Sequence, residues 1–181
     1  MRRLLLKSLV HGPLTEAAPT RDDASVAELA ARVDQAARRR LGRTLAIREV
    51  DAGSCNGCEL EIHALNNVLY DLERFGLRFV ASPRHADVLL VTGPVTANMR
   101  EALERTYQAT PDPKWVVAVG DCARNGGVFS GSYACIGGVS AVVPVDLHIP
   151  GCPPSPIVLL KGLLALLETV SAAGPRNGRP T

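Results

Sequence analysis

Residues 44–58 read Thr-Leu-Ala-Ile-Arg-Glu-Val-Asp-Ala-Gly-Ser-Cys-Asn-Gly-Cys. Residues 44–50 have the composition of a strand, and residues 51–58 that of the loop it runs into. A helix is expected from 59 to 74, closed by Gly76. The same rhythm recurs downstream. Residues 77–81 form a short second strand and 87–92 (DVLLVT) a third, broken by Gly93-Pro94. Residues 96–107 predict a helix and 114–119 a fourth, buried strand, followed by a glycine-rich stretch through Gly138. Residues 142–149 predict a fifth strand, which leads through Pro150-Gly-Cys-Pro-Pro154 into a helix over 155–170. Strands alternating with helices imply an α/β fold. It is a doubly wound parallel sheet of about five strands, of flavodoxin-like order 2-1-3-4-5.

Upstream, residues 11–24 are a linker rich in Pro, Ala and polar groups. A helix is expected from Ser25, where Ser25 and Glu28 make a capping-box pair. Val26, Leu29, Ala30, Val33 and Ala37 fall on one face. Arg38, Arg39 and Arg40 crowd the last turn, where cations favour the helix dipole, and Gly42 ends it. The expected organisation is a basic N-terminal arm and helix over 1–43, an α/β domain over 44–170, and a disordered tail over 171–181.

A chain of 181 residues is long enough for one domain with a hydrophobic core. Aromatics are only 4%, with Trp115 the single tryptophan, so the core must come from Val, Leu, Ile and Ala. That suits parallel strands covered on both faces. Residues 1–48 carry ten Lys and Arg against five Asp and Glu, whereas 49–181 carry ten against thirteen. The basic segment could face an anionic membrane surface or an acidic partner, or be a solvated arm. No apolar run reaches the ~18–20 residues of a membrane span. The basic opening imitates a signal peptide, but Lys7 interrupts its apolar stretch. The expected location is therefore peripheral, on the cytoplasmic side of the inner membrane.

Five cysteines in such a chain point to metal or redox chemistry rather than to disulfides. Cys55 and Cys58 follow the first strand, Cys122 the fourth and Cys152 the fifth. In a parallel sheet these loops emerge at one carboxyl edge, where open α/β sheets place ligands. Four thiolates there select iron–sulfur or zinc. A thioredoxin-like CxxC pair fits less well, because two more cysteines stand nearby. Zinc usually takes two CxxC knuckles, and here the other two candidates are single. Cys135 is expected to be a buried free thiol, with ligation the alternative. Glu59 and Glu61 could line a proton path or only favour the helix dipole. His148 is a candidate to tune the site from beside Cys152. His63 and His85 are expected to be structural.

The series Cys-Asn-Gly-Cys-Glu-Leu-Glu, Ser-Pro-Arg-His-Ala-Asp-Val-Leu-Leu-Val-Thr-Gly-Pro-Val-Thr, Pro-Asp-Pro-Lys, Val-Gly-Asp-Cys and Ile-Pro-Gly-Cys-Pro-Pro resembles one family over residues 44–170. It is the small subunit of group 4 membrane-bound [NiFe] hydrogenases, including formate hydrogenlyase. The same superfamily contains the complex I (NADH-quinone oxidoreductase) component that carries the terminal cluster next to quinone. Complex I relatives carry adjacent cysteines where Cys55 and Cys58 are separated by two residues. The resemblance implies one proximal [4Fe–4S] cluster on Cys55, Cys58, Cys122 and Cys152. It also implies electron transfer between a ferredoxin-like subunit and a large [NiFe]-type catalytic subunit, with membrane-embedded subunits as further partners. No catalytic residue and no nucleic-acid partner are expected. Two alternatives stay open: a complex I-type or related complex without nickel, and a stand-alone iron–sulfur or zinc protein.

Overall fold

The computed structural model describes residues 23–172. The linker before Asp23 and most of the expected tail fall outside them. The helices are α1 (Asp23–Leu41), α2 (Gly57–Ala64), α3 (Arg100–Ala109), α4 (Gly120–Asn125) and α5 (Pro156–Ala172). The strands are β1 (Ala46–Asp51), β2 (Arg78–Phe79), β3 (Val88–Thr92), β4 (Val95–Thr96), β5 (Trp115–Val119), β6 (Cys135–Gly137) and β7 (Leu147–Ile149).

Five strands form one wholly parallel sheet in the order β2-β1-β3-β5-β7. Counted within that sheet, this is the expected 2-1-3-4-5 arrangement. Side-chain alternation splits the core in two. Ile47, Val88, Leu90, Trp115, Val117 and Val119 face α1, α2 and α5, while Leu89, Val91, Val116 and Ala118 join Leu103 and Ala123 on the other side. Every residue of β3 and β5 is buried, because helices cover both faces.

Helix α1 belongs to this core: Ala30, Val33 and Ala37 are fully buried, and Arg32 reaches Glu168 of α5 at 3.3 Å. It begins two residues before Ser25, so the capping-box start is displaced. Its end is as expected, with Gly42 at φ 67° donating its N–H to the Arg38 carbonyl at 2.9 Å.

Three other boundaries differ from expectation, each for a local reason. The helix expected over 59–74 stops at Ala64, because the Asn67 side chain accepts the amides of Leu69 and Tyr70 and turns the chain. The fifth strand shrinks to Leu147–Ile149, because Pro144 within the expected run cannot donate to a ladder. Thr96 is in a strand rather than a helix. Its amide donates to the Ala52 carbonyl, and β4 pairs antiparallel with β6 in a small second sheet.

Candidate metal centre

β1 ends at Asp51, whose carboxylate turns the chain at once: Oδ1 accepts the amides of Gly53 and Ser54, both at 2.7 Å. Ser54 Oγ accepts the Asn56 amide at 3.0 Å, and Asn56 is left-handed at φ 69°. This Asx turn lifts Cys55 to the surface and returns Cys58 into the first turn of α2. Cys58 is buried, its sulfur 3.9 Å from the Val119 carbonyl at the end of β5. Cys122 enters from that same strand, in α4, and is buried as well. Cys152 follows β7 and is exposed.

Two glycines leave room for sulfur. A Cβ at Gly120 (φ 86°) would lie 2.8 Å from Cys58 Sγ, and one at Gly127 would lie 2.7 Å from Cys122 Sγ. The last two loops are tied together. The Asp121 amide donates to the Gly151 carbonyl at 2.9 Å, and the Gly151 amide donates back to Asp121 Oδ1 at 3.2 Å. His148 Nε2 lies 3.0 Å from the Gly120 carbonyl, so the histidine pins the entry to Cys122 from β7.

The two interior thiols resist ionisation. Burial pushes the Cys58 thiol up to about 12, and Glu59, Cys122, Cys55 and Cys152 add repulsion against its thiolate. Burial also raises Cys122, opposed by a hydrogen bond from the Val128 backbone and reinforced by Cys152, Cys55 and Asp121. The protein alone thus holds two thiols protonated at neutral pH. A bound iron core would reverse this, since metals hold coordinating thiols as thiolates. All five cysteines are free thiols, and among the described residues no three His, Cys, Asp or Glu side chains gather to hold a single metal ion. The donor set of four thiols on three loops, with glycine clearances over two sulfurs, fits a thiolate-held iron–sulfur group.

The remaining candidates divide. Cys135 is half-buried in β6, opposite Thr96, rather than buried. Glu59 is not a solvated first-turn acid: it is 6% exposed and neither carboxylate oxygen has a partner. Glu61 is half-buried, and His85 is exposed in a 3-10 turn capped by Ser82. His63 is exposed, with Nε2 3.9 Å from Glu49 Oε2. Asp51, Asp121 and Glu49 escaped sequence reasoning. An acid directly before a glycine-bearing turn was the available signal for Asp51.

The five-stranded parallel sheet flanked by helices is an α/β fold similar to that of hydrogenase small subunits. Residues 55–166, more than half of the chain, match the family described as NADH ubiquinone oxidoreductase, 20 Kd subunit, and the chain belongs to that family. It is 48% identical to formate hydrogenlyase subunit 7 of Escherichia coli, over 76% of this chain and 55% of that one. It is 47% identical to a probable membrane-bound hydrogenase subunit of Pyrococcus furiosus, over 72% of this chain and 78% of that one. The chain thus spans about half the length of the bacterial relative. Among solved structures it resembles a chain of the membrane-bound sulfane sulfur reductase, an archaeal respiratory membrane complex. The TM-score is 0.65 at 36% identity, covering 78% of this chain and 77% of that one. A chain of an NAD+-reducing [NiFe]-hydrogenase shares the fold alone, with TM-score 0.56 at 23% identity, covering 77% and 98%. The chain is accordingly a member of an oxidoreductase-subunit family whose relatives include named subunits of formate hydrogenlyase and of a membrane-bound hydrogenase.

Proposed function

We propose that this chain is the electron-transfer small subunit of a membrane-associated [NiFe] hydrogenase-type complex, holding one [4Fe–4S] cluster on Cys55, Cys58, Cys122 and Cys152. The observation that carries this is the meeting of three loops at one sheet edge, where the Cys58 thiol feels the other three. A single tetrahedral zinc needs its sulfurs within about 2.3 Å of one point, whereas a four-iron core spreads its thiolates over several atoms. Two single cysteines on separate loops beside one CxxC pair fit the cluster better than the paired knuckles usual for zinc. When bound, such a cluster supplies one-electron transfer.

The chain's own residues hold that site, orient it and shield it. Cys58 and Cys122 anchor it from the interior, and Cys55 and Cys152 close it on the solvent side. Asp121 and His148 fix the separation of the second and third loops. The partners proposed are a large [NiFe]-type catalytic subunit and a ferredoxin-like subunit, with none of the bond-making done in this chain. Attachment at the cytoplasmic face would be peripheral, through membrane-embedded subunits; among the described residues no helix is long and apolar enough to cross a membrane. Within the basic segment over 1–48, Arg43 already pairs with buried Asp87 and Arg38 with Asp34.

A second reading is a related respiratory complex whose large subunit lacks nickel, favoured by the likeness to the sulfane sulfur reductase chain. Anaerobic purification with the partner subunits separates the outcomes. About four irons per chain and a reducible spectrum are expected. Nickel in the co-purified large subunit selects the hydrogenase; its absence selects the second reading. Stoichiometric zinc without iron overturns both.

A further inference from the structure

Strand pairing at the outer edge of the sheet stops early. β2 pairs with β1 at Ala46 and Ile47, whereas β3 follows β1 as far as Asp51. The Val80 amide still donates to the Ile47 carbonyl at 2.8 Å, and the chain then leaves for the 3-10 turn at Pro83–His85. Among the described residues no strand covers the outer edge of β1 over 48–51. A cavity of about 260 Å³ opens there, with Arg48, Glu49, Ile62, His63, Asn66 and Phe79 in its wall.

Glu49 stands at this uncovered edge with its carboxylate unsatisfied. Its Oε1 is buried and accepts no hydrogen bond. His63 Nε2 lies 3.9 Å from Oε2, too far for one. Asp51, Asp87, Asp121 and Asp146, by contrast, each accept a backbone amide. A partly buried acceptor left without a donor is costly, so the site favours an occupant that brings one. Burial raises the proton affinity of Glu49 first of all, and His63 opposes that rise. Glu59 and Asp51 add to it, and Arg48 opposes it weakly. With His63 neutral, the carboxylates around the cavity outnumber its one guanidinium.

The wall selects among cations. Glu49 offers a carboxylate, Phe79 an aromatic ring and Ile62 an apolar surface for a side-chain stem. A guanidinium suits all three: it is planar, carries several donors, stacks on rings and is less strongly hydrated than an ammonium.

We propose that this cavity is the socket for an arginine side chain of an adjoining subunit, which enters beside the uncovered end of β1 and pairs with Glu49. The proposal rests on the reading of this chain as one subunit of a larger complex. An arginine seated in a partly desolvated pocket is the kind of contact that anchors an interface.

The test uses the whole complex, recovered through a tag on this chain, with photo-crosslinking benzoylphenylalanine in place of Asn66. The crosslink should map beside an arginine of another subunit. Glu49→Lys should lower recovery of that subunit roughly tenfold or more, since it sets like charges against each other. Glu49→Gln, which keeps the shape, should lower it several-fold while iron per chain stays near wild type. Exchanging the crosslinked arginine for Glu should restore recovery with Glu49→Lys. If Glu49→Gln also loses iron, that charge-exchanged pair decides, because its recovery requires a folded chain. Wild-type recovery with Glu49→Lys overturns the proposal while the complex stands. So does a crosslink to a second copy of this chain, or to a segment without arginine. A wild-type chain that brings down no other subunit removes the reading on which the proposal rests.

Discussion

The two edges of the sheet use the same chemistry for different ends. At the edge where strands enter, Asp87 accepts the Ala46 amide at 2.9 Å while pairing with Arg43, and Asp146 accepts the Val116 amide at 2.9 Å. At the edge where they leave, Asp51 and Asp121 likewise accept backbone amides, but those amides belong to the loops that carry the cysteines. A carboxylate that receives an N–H satisfies an otherwise orphaned donor in either place. At the entry edge the result is strand register. At the exit edge it is the position of sulfur. The same bond broken at the two edges should therefore be read by different instruments.

The largest contrast lies in iron. Cys58→Ser should lower iron from about four per chain to background, because one of four thiolates is lost from the proposed site. Cys135→Ala should leave iron and visible spectrum near wild type. Retention of iron by Cys58→Ser with loss in Cys135→Ala would exchange their roles.

Next comes stability at the entry edge. Asp87 has a 3% exposed side chain, and Asp87→Ala leaves the buried Ala46 amide without a partner. The expected cost is about 1–3 kcal/mol in chemical denaturation. Iron content should stay normal in whatever fraction folds.

Asp121→Ala should show the converse, with stability within about 1 kcal/mol of wild type, since the amide it frees lies near solvent. Iron should nevertheless leave several-fold faster to a chelator, because one of the two bonds tying the second and third ligand loops is lost. Equal release rates would make Asp121 a scaffold residue like Asp87.

The smallest effect concerns the iron-free chain and pH. The Cys58 thiol moves from an ordinary 9.0 up to about 12 on folding. A group favoured in its protonated form stabilises the fold fully below its unfolded value. Between pH 9 and 12 the unfolded chain ionises first, so stability should decline through that window. Cys58→Ala should flatten the decline as seen in denaturation midpoints, and an unchanged decline would place the titration elsewhere.

What the sequence settled by itself was the strand rhythm, hence the sheet order, and the placement of the cysteine loops after β1, β5 and β7. These follow from short-range chemistry: apolar runs of strand length, glycine and proline breaks, and a parallel sheet that sends every such loop to one edge. Gly42 closed α1 for the same local reason. Tertiary structure decided what depended on partners distant in sequence. The antiparallel pairing of Thr96 with Cys135 spans nearly forty residues, where no local pattern reports it. The burial of Glu59, the Asp121–Gly151 tie and the meeting of Glu49 with His63 likewise exist only once α2, β1, α4 and β7 are packed. An acid's exposure and hydrogen-bond partners are properties of the elements placed around it. In the sequence, Glu59 and Glu61 look alike; in the fold one is sealed without a partner and the other is half-open to solvent.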